Sequence, residues 1–112
     1  MTVRETFFAL EVADIARATT FYTTVFGATV AFASPGWTST HVAGVRIGLV
    51  PNPAHVPTQT GLHFAVDDLA AACAAVERGG GHVAIAPTEV APGVTIAVVV
   101  DTEGNELALR GP

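Results

Sequence analysis

Along the chain, apolar residues first alternate with polar ones, then recur at helical spacing, then alternate again, and this order is met twice. In residues 6–12, Phe8, Leu10 and Val12 fall on one side of a predicted strand and Phe7, Ala9 and Glu11 on the other. Asp14 then stands at an N-cap position. Ile15, Ala18, Thr19, Tyr22 and Phe26 follow at the spacing of one helix face before Gly27 ends the run. Residues 28–33 and Trp37–Val42 read as strands joined by Ser34-Pro35-Gly36, where Pro presets one dihedral and Gly relieves the next. After Gly44, residues 45–50 alternate once more, with Val45, Ile47 and Leu49 on the apolar side. The first half is therefore βαβββ.

Pro51, Pro53 and Pro57 make the next stretch stiff and poor in ladder donors, which marks it as a linker. Beyond it the pattern restarts. Residues 61–66 read as a strand, Asp68 caps a helix running to about Arg78, and Gly79-Gly80-Gly81 ends it. Residues 82–86, Val94–Val100 and 106–110 are three further strands, the last two joined by the turn-rich Asp101-Thr102-Glu103-Gly104-Asn105. Laid over one another, the halves pair Phe8 with Leu62, Asp14 with Asp68 and Gly27 with Gly81. The run Val45-Arg-Ile-Gly-Leu-Val likewise falls on Asn105-Glu-Leu-Ala-Leu-Arg. An internal repeat is the direct reading of that register. It predicts an α+β fold of two βαβββ modules, the first over about 5–50, a linker over 51–59 and the second over about 60–110.

Composition narrows the class. At 112 residues the chain is expected to be a single domain, 1–112, and with half its residues hydrophobic and 13% charged it is globular, not disordered. A net charge of −5, with five Arg and no Lys, supplies no basic stripe for phosphates, so nucleic acid is not expected as a partner. Every apolar run is broken well short of the ~20 residues that span a bilayer, so no membrane association is expected either. Cys73, the lone cysteine, has no partner for an intramolecular disulfide. Because the start Met1-Thr2-Val3-Arg4 also lacks an apolar signal core, a cytoplasmic location is expected.

A first strand ending in Val-Ala-Asp, a helix carrying Phe21-Tyr22 with a Phe-Gly exit, and a close in Asp101-Thr-Glu-Gly-Asn-Glu-Leu resemble the vicinal oxygen chelate superfamily. This is the group of glyoxalase I, bleomycin-resistance proteins, fosfomycin-resistance enzymes and extradiol dioxygenases. The resemblance covers nearly the whole chain. It implies that the two modules form a curved mixed-sheet cup with helices on the outer face, that a small molecule is the ligand, and that the protein is a homodimer. It also implies a divalent ion held by His, Gln or Glu at four strand positions, two in each module. Carried over one at a time, those positions fall on Phe7, Gly48, Gly61 and Ala108, none of which has a metal-binding side chain. The expectation is therefore no metal and no cofactor.

With the same alternation, Phe7, Ala9, Glu11, Arg46, Gly48, Gly61, His63, Ala65, Glu106 and Ala108 line the concave side. Candidate ligand-binding residues are Phe7, Glu11, Trp37, Arg46, Gly48, Gly61, His63 and Glu106, a mixture of apolar and ionisable groups suited to a pocket. Trp37 either packs or offers a stacking plate for a flat ligand. Phe7 fills volume a metal would need. His41, His55 and His82 fall in separate elements without ligand spacing and read as surface or pocket-rim histidines. Cys73 reads as buried packing and Asp67-Asp68 as a helix-capping pair. Two functions follow. One is a metal-independent binding protein that sequesters an aromatic or amphipathic molecule, as the bleomycin-resistance branch does. The other, which leaves enzymatic activity open, is a lyase, isomerase or hydrolase of a small carbonyl compound, with His63 and Glu106 as base and orienting partner.

Overall fold

Strand β1 (Phe8–Val12) lies parallel to β4 (Val45–Pro51), with Leu10 beside Leu49 and Ala9 beside Gly48. These features come from a computed structural model that describes all of Met1–Pro112. Between the two strands, α1 (Ile15–Phe26) starts at Asp14, whose Oδ1 accepts from Arg17 N at 3.0 Å, and ends at Gly27 in the left-handed region, φ 67°. Strands β2 (Thr29–Ser34) and β3 (Trp37–Val42) complete a sheet ordered β1-β4-β3-β2. The parallel β1–β4 pair lets the α1 crossover return onto one face, as a mixed sheet requires. There Val12, Ala18, Phe21, Tyr22, Ile47 and Leu49 are buried. Each large apolar side chain among them contributes about 1.5–3 kcal/mol of transfer free energy. A one-residue slip of β4 would turn Ile47 and Leu49 to the open face, so the register is fixed by this burial. Phe21 joins the buried helix face, which the spacing of Ala18 and Tyr22 did not include.

The second compact unit, Val56–Pro112, repeats the plan of the first, Met1–His55. Strand β5 (Gln59–Ala65) is parallel to β8 (Glu106–Gly111), and β6 (His82–Ala91) and β7 (Val94–Val100) complete the order β5-β8-β7-β6. Helix α2 (Leu69–Arg78) is capped by Asp68, which accepts from Ala71 N at 2.9 Å, and it buries Leu69, Cys73 and Val76. The register is conserved in space. Ala9 opposes Gly48 in the first sheet as His63 opposes Ala108 in the second, and Leu10–Leu49 corresponds to Phe64–Leu109.

Several boundaries differ from expectation, each for a local reason. Phe7 lies just outside β1, and Phe8, expected on the helix side, is 41% exposed at the strand's open end. Strand β4 continues to Pro51 and β5 begins at Gln59, which shortens the linker to residues 52–58. Strand β6 runs five residues past 86. Pro87 ends a strand in most contexts, but here it lies inside the register shift between Ile85 and Thr88, one of three along this edge strand, and a bulge on an edge tolerates a missing donor. Helix α2 has 10 residues where α1 has 12, so the left-handed glycine after it is Gly80, φ 98°, one before the Gly81 of the overlay. No helix is long and apolar enough to cross a membrane.

Candidate functional site

The open face of the first sheet carries an aromatic and cationic cluster. Trp37 begins β3 and points to the same face as Ser39 and Gly48, and its indole folds back over Gly48 while Nε1 donates to Ser39 Oγ at 2.6 Å. A Cβ at Gly48 would stand 2.2 Å from the indole Cζ2, so only glycine admits this packing. Phe7 meets Trp37 edge to face, with centroids 6.2 Å apart and planes at 88°. The Arg46 guanidinium lies 4.7 Å over the Phe7 ring, while its Nε donates to Glu5 Oε2 at 3.0 Å and its Nη2 to Glu5 Oε1. Phe32, beside Ser39 in the ladder, adds a 58%-exposed ring to this face.

A cavity of about 250 Å³ opens on the corresponding face of the second sheet. Gln59, Gly61, His63 and Glu106 supply its polar and backbone lining, and Ile96, Val98 and Ala108 its apolar part. Its rim is shaped by a bulge. Between Gln59–Glu106 and His63–Ala108, β5 spends four residues where β8 spends two. Gly61 takes up the excess at φ 76°, a conformation that favours glycine. Thr60 Oγ1 fixes the distortion by donating to Glu106 O at 2.8 Å and accepting from Leu62 N at 3.0 Å. Gly61 is thus part of a built irregularity, not an ordinary strand residue. His63 Nδ1 sits 3.2 Å from Gly61 O, and no hydrogen bond joins the imidazole to Glu106.

Glu11 belongs to neither cluster. Its Oε1 accepts from His55 Nδ1 at 2.9 Å, and the His55 side chain is only 2% exposed, so His55 is packed down and not a free surface histidine. Hydrogen bonds from His55 and then Asn52 hold the Glu11 carboxyl below its ordinary value. His41 is half-buried and His82 exposed. Burial, with a smaller contribution from Glu77, pushes the Cys73 thiol up, the reverse of what a reactive thiolate needs. Nowhere do three or more His, Cys, Asp or Glu side chains stand close enough to share a metal ion. Glu5, Phe32, Gln59, Ile96 and Val98 escaped the sequence reading. Gln59, two residues before Gly61, could have been found by extending the alternation. Ile96 and Val98 could not, because both faces of Val94–Val100 are apolar.

Residues 6–109 match the Glyoxalase/Bleomycin resistance protein/Dioxygenase superfamily. The chain belongs to that superfamily. Solved structures of similar fold include a glyoxalase/bleomycin resistance protein/dioxygenase family enzyme from Burkholderia phytofirmans PsJN, 20% identical over 94% of this chain and 95% of that one, TM-score 0.80. The fosfomycin resistance protein FosX from Listeria monocytogenes is 14% identical over 100% and 95%, TM-score 0.84. A glyoxalase/bleomycin resistance protein from Albidiferax ferrireducens T118 is 19% identical over 94% and 95%, TM-score 0.72. At these identities the likeness is one of fold. No curated protein matches the sequence. Within the superfamily frame, Phe7 and Gly48 belong to the Trp37 cluster and Gly61 and Ala108 to the second sheet's cavity.

Proposed function

We propose that this superfamily member is a small-molecule binding protein that works without a metal ion and takes an aromatic or amphipathic ligand on the open faces of its sheets. The observation that carries the reading is the seating of Trp37 on Gly48, which fills with an indole the space beside a residue that the family resemblance assigns to a metal ligand. The donor set points the same way. A divalent ion needs several N or O donors from side chains, and Phe7, Gly48, Gly61 and Ala108 offer none, so the residues present do not fit the group. The second sheet contributes a small apolar cavity with one imidazole and one carboxylate at its edge, the composition of a pocket that orients a ligand with few polar contacts. The alternative of a lyase, isomerase or hydrolase using His63 and Glu106 has less support, because the carboxylate does not orient the imidazole. We also propose that the protein is a homodimer.

Thermal-shift and ligand-observed NMR screening of small aromatic and amphipathic molecules tests the binding reading. Binding is expected to persist in chelator and to weaken about tenfold in His63→Ala or Glu106→Ala when the ligand uses the cavity. Finding one stoichiometric divalent ion after purification without chelator, lost in His63→Ala, would overturn it.

A further inference from the structure

We infer that Arg46, Phe7 and Trp37 form a receptor for a planar aromatic carboxylate and that Glu5, on the segment before β1, is its built-in competitor; this rests on the proposed binding function and names the ligand class for the first sheet's face.

Arg46 presents one edge of its guanidinium, Nε and Nη2, to both oxygens of Glu5. That planar two-on-two fork is the geometry in which arginine recognises a carboxylate. Glu5 itself therefore displays which anion the fork accepts. Its hold is weak by construction. The Glu5 side chain is 47% exposed and that of Arg46 32%, and Glu5 sits on a segment with no strand or helix. An ion pair so exposed is worth about 0.2–1 kcal/mol, little enough for an incoming carboxylate with additional contacts to replace it.

Those contacts are in place. Phe7 remains 43% exposed although it lies beneath the guanidinium and against the indole. The Trp37 ring cannot swing freely, because Nε1 is committed to Ser39 and its body rests on Gly48. A ring joined to a carboxylate could lie along this aromatic surface while its two oxygens take the place of Glu5. The exposed Phe32 ring widens the apolar area on the same face. A neutral flat molecule would gain the stacking and forgo the fork, so the face discriminates by charge.

The experiment is a ¹H–¹⁵N NMR titration of the full chain with 2-naphthoate and with neutral 2-naphthamide, following Trp37 Nε1–H and Arg46 Nε–H. Naphthoate is expected to move both signals saturably. Glu5→Gln should tighten naphthoate by up to about fivefold and leave naphthamide unchanged. Arg46→Gln should remove the preference for the acid. Glu5 is exposed, so Glu5→Gln tests the idea even if Arg46→Gln fails to fold. Unchanged or weaker naphthoate binding in Glu5→Gln, equal affinity for acid and amide, or no movement of either signal would each overturn the inference. If screening compounds shift the Gly61 and His63 amides while Trp37 and Arg46 stay still, this inference falls and the binding function stands. If no compound moves any of the four, both fall.

Discussion

Gly48 shows how a single missing side chain decides what a face can hold. The indole of Trp37 occupies the space a Cβ would need, at 2.2 Å and 2.3 Å from two of its ring carbons. Gly48→Ala must therefore push the indole outward, since β4 is held between β1 and β3 and has no room to retreat. Overpacking of this kind costs about 1–3 kcal/mol. Because Trp37 is the chain's sole tryptophan, its emission should shift to the red and the urea midpoint should fall in the same variant. An unchanged spectrum would mean that the indole does not rest on Gly48. The sequence already placed Phe7, Arg46 and Gly48 on one face, because strand alternation is a period of two and survives errors in strand ends, while Trp37 was a candidate binding residue not assigned to that face. It did not reveal that Trp37 packs on Gly48, a contact that depends on a rotamer and a cross-strand neighbour, neither of which has a signature in a single chain.

Elements were legible wherever capping and periodicity agreed. Asp14 and Asp68 cap the two helices through the expected side-chain bonds, and each of the eight strands overlaps a stretch expected as a strand, with ends shifted in β1, β2, β4, β5, β6 and β8. Legibility failed where neighbouring strands set the answer. The extension of β6 past Pro87 depends on β6 bulging against β7, and the bulge in β5 depends on the hydroxyl of Thr60 reaching Glu106 O. The linker is the other such case, since three prolines suggest a stiff spacer but the segment is tied down. Asn52 N donates to Val12 O at 2.8 Å, His55 N to Asn52 O at 2.9 Å, and the His55 ring to Glu11. The Glu11 carboxyl has a lowered value when folded, first through His55 and then through Asn52. Its contribution to stability is therefore complete above the unfolded carboxyl value, about 4.3, and is lost as pH falls through the lower folded value. Acidification from pH 5 to below about 4 should lower the urea midpoint more in the wild type than in Glu11→Gln. Equal losses in the two proteins would show that the Glu11–His55 tie contributes nothing in this window.

At the scale of the whole molecule, the duplicated βαβββ plan leaves each sheet with two edge strands, β1 and β2 in the first and β5 and β6 in the second. Strands β2 and β6 end their sheets, and they expose Val30 and Phe32 in one case and Ile85 and Val90 in the other. Exposed apolar residues on an unpaired strand edge invite association, and proteins that keep such edges usually cover them or break them with charge. Strand β6 is the longer of the two at 10 residues, and Glu89 is its sole carboxylate. A second copy of the chain laid against β6 would cover Ile85 and Val90 in both partners at once, because a two-fold interface uses the same patch twice. Light scattering at micromolar concentration should then give twice the 11.4 kDa of one chain. The double substitution Ile85→Glu, Val90→Glu should bring the mass back to that of one chain while leaving the far-ultraviolet circular dichroism intact, since both side chains are more than half exposed and contribute little to the core. A wild-type mass of one chain would refute the dimer. A dimer that survives the double substitution would place its interface away from β6, with the exposed Val30 and Phe32 edge of β2 as the next surface to charge.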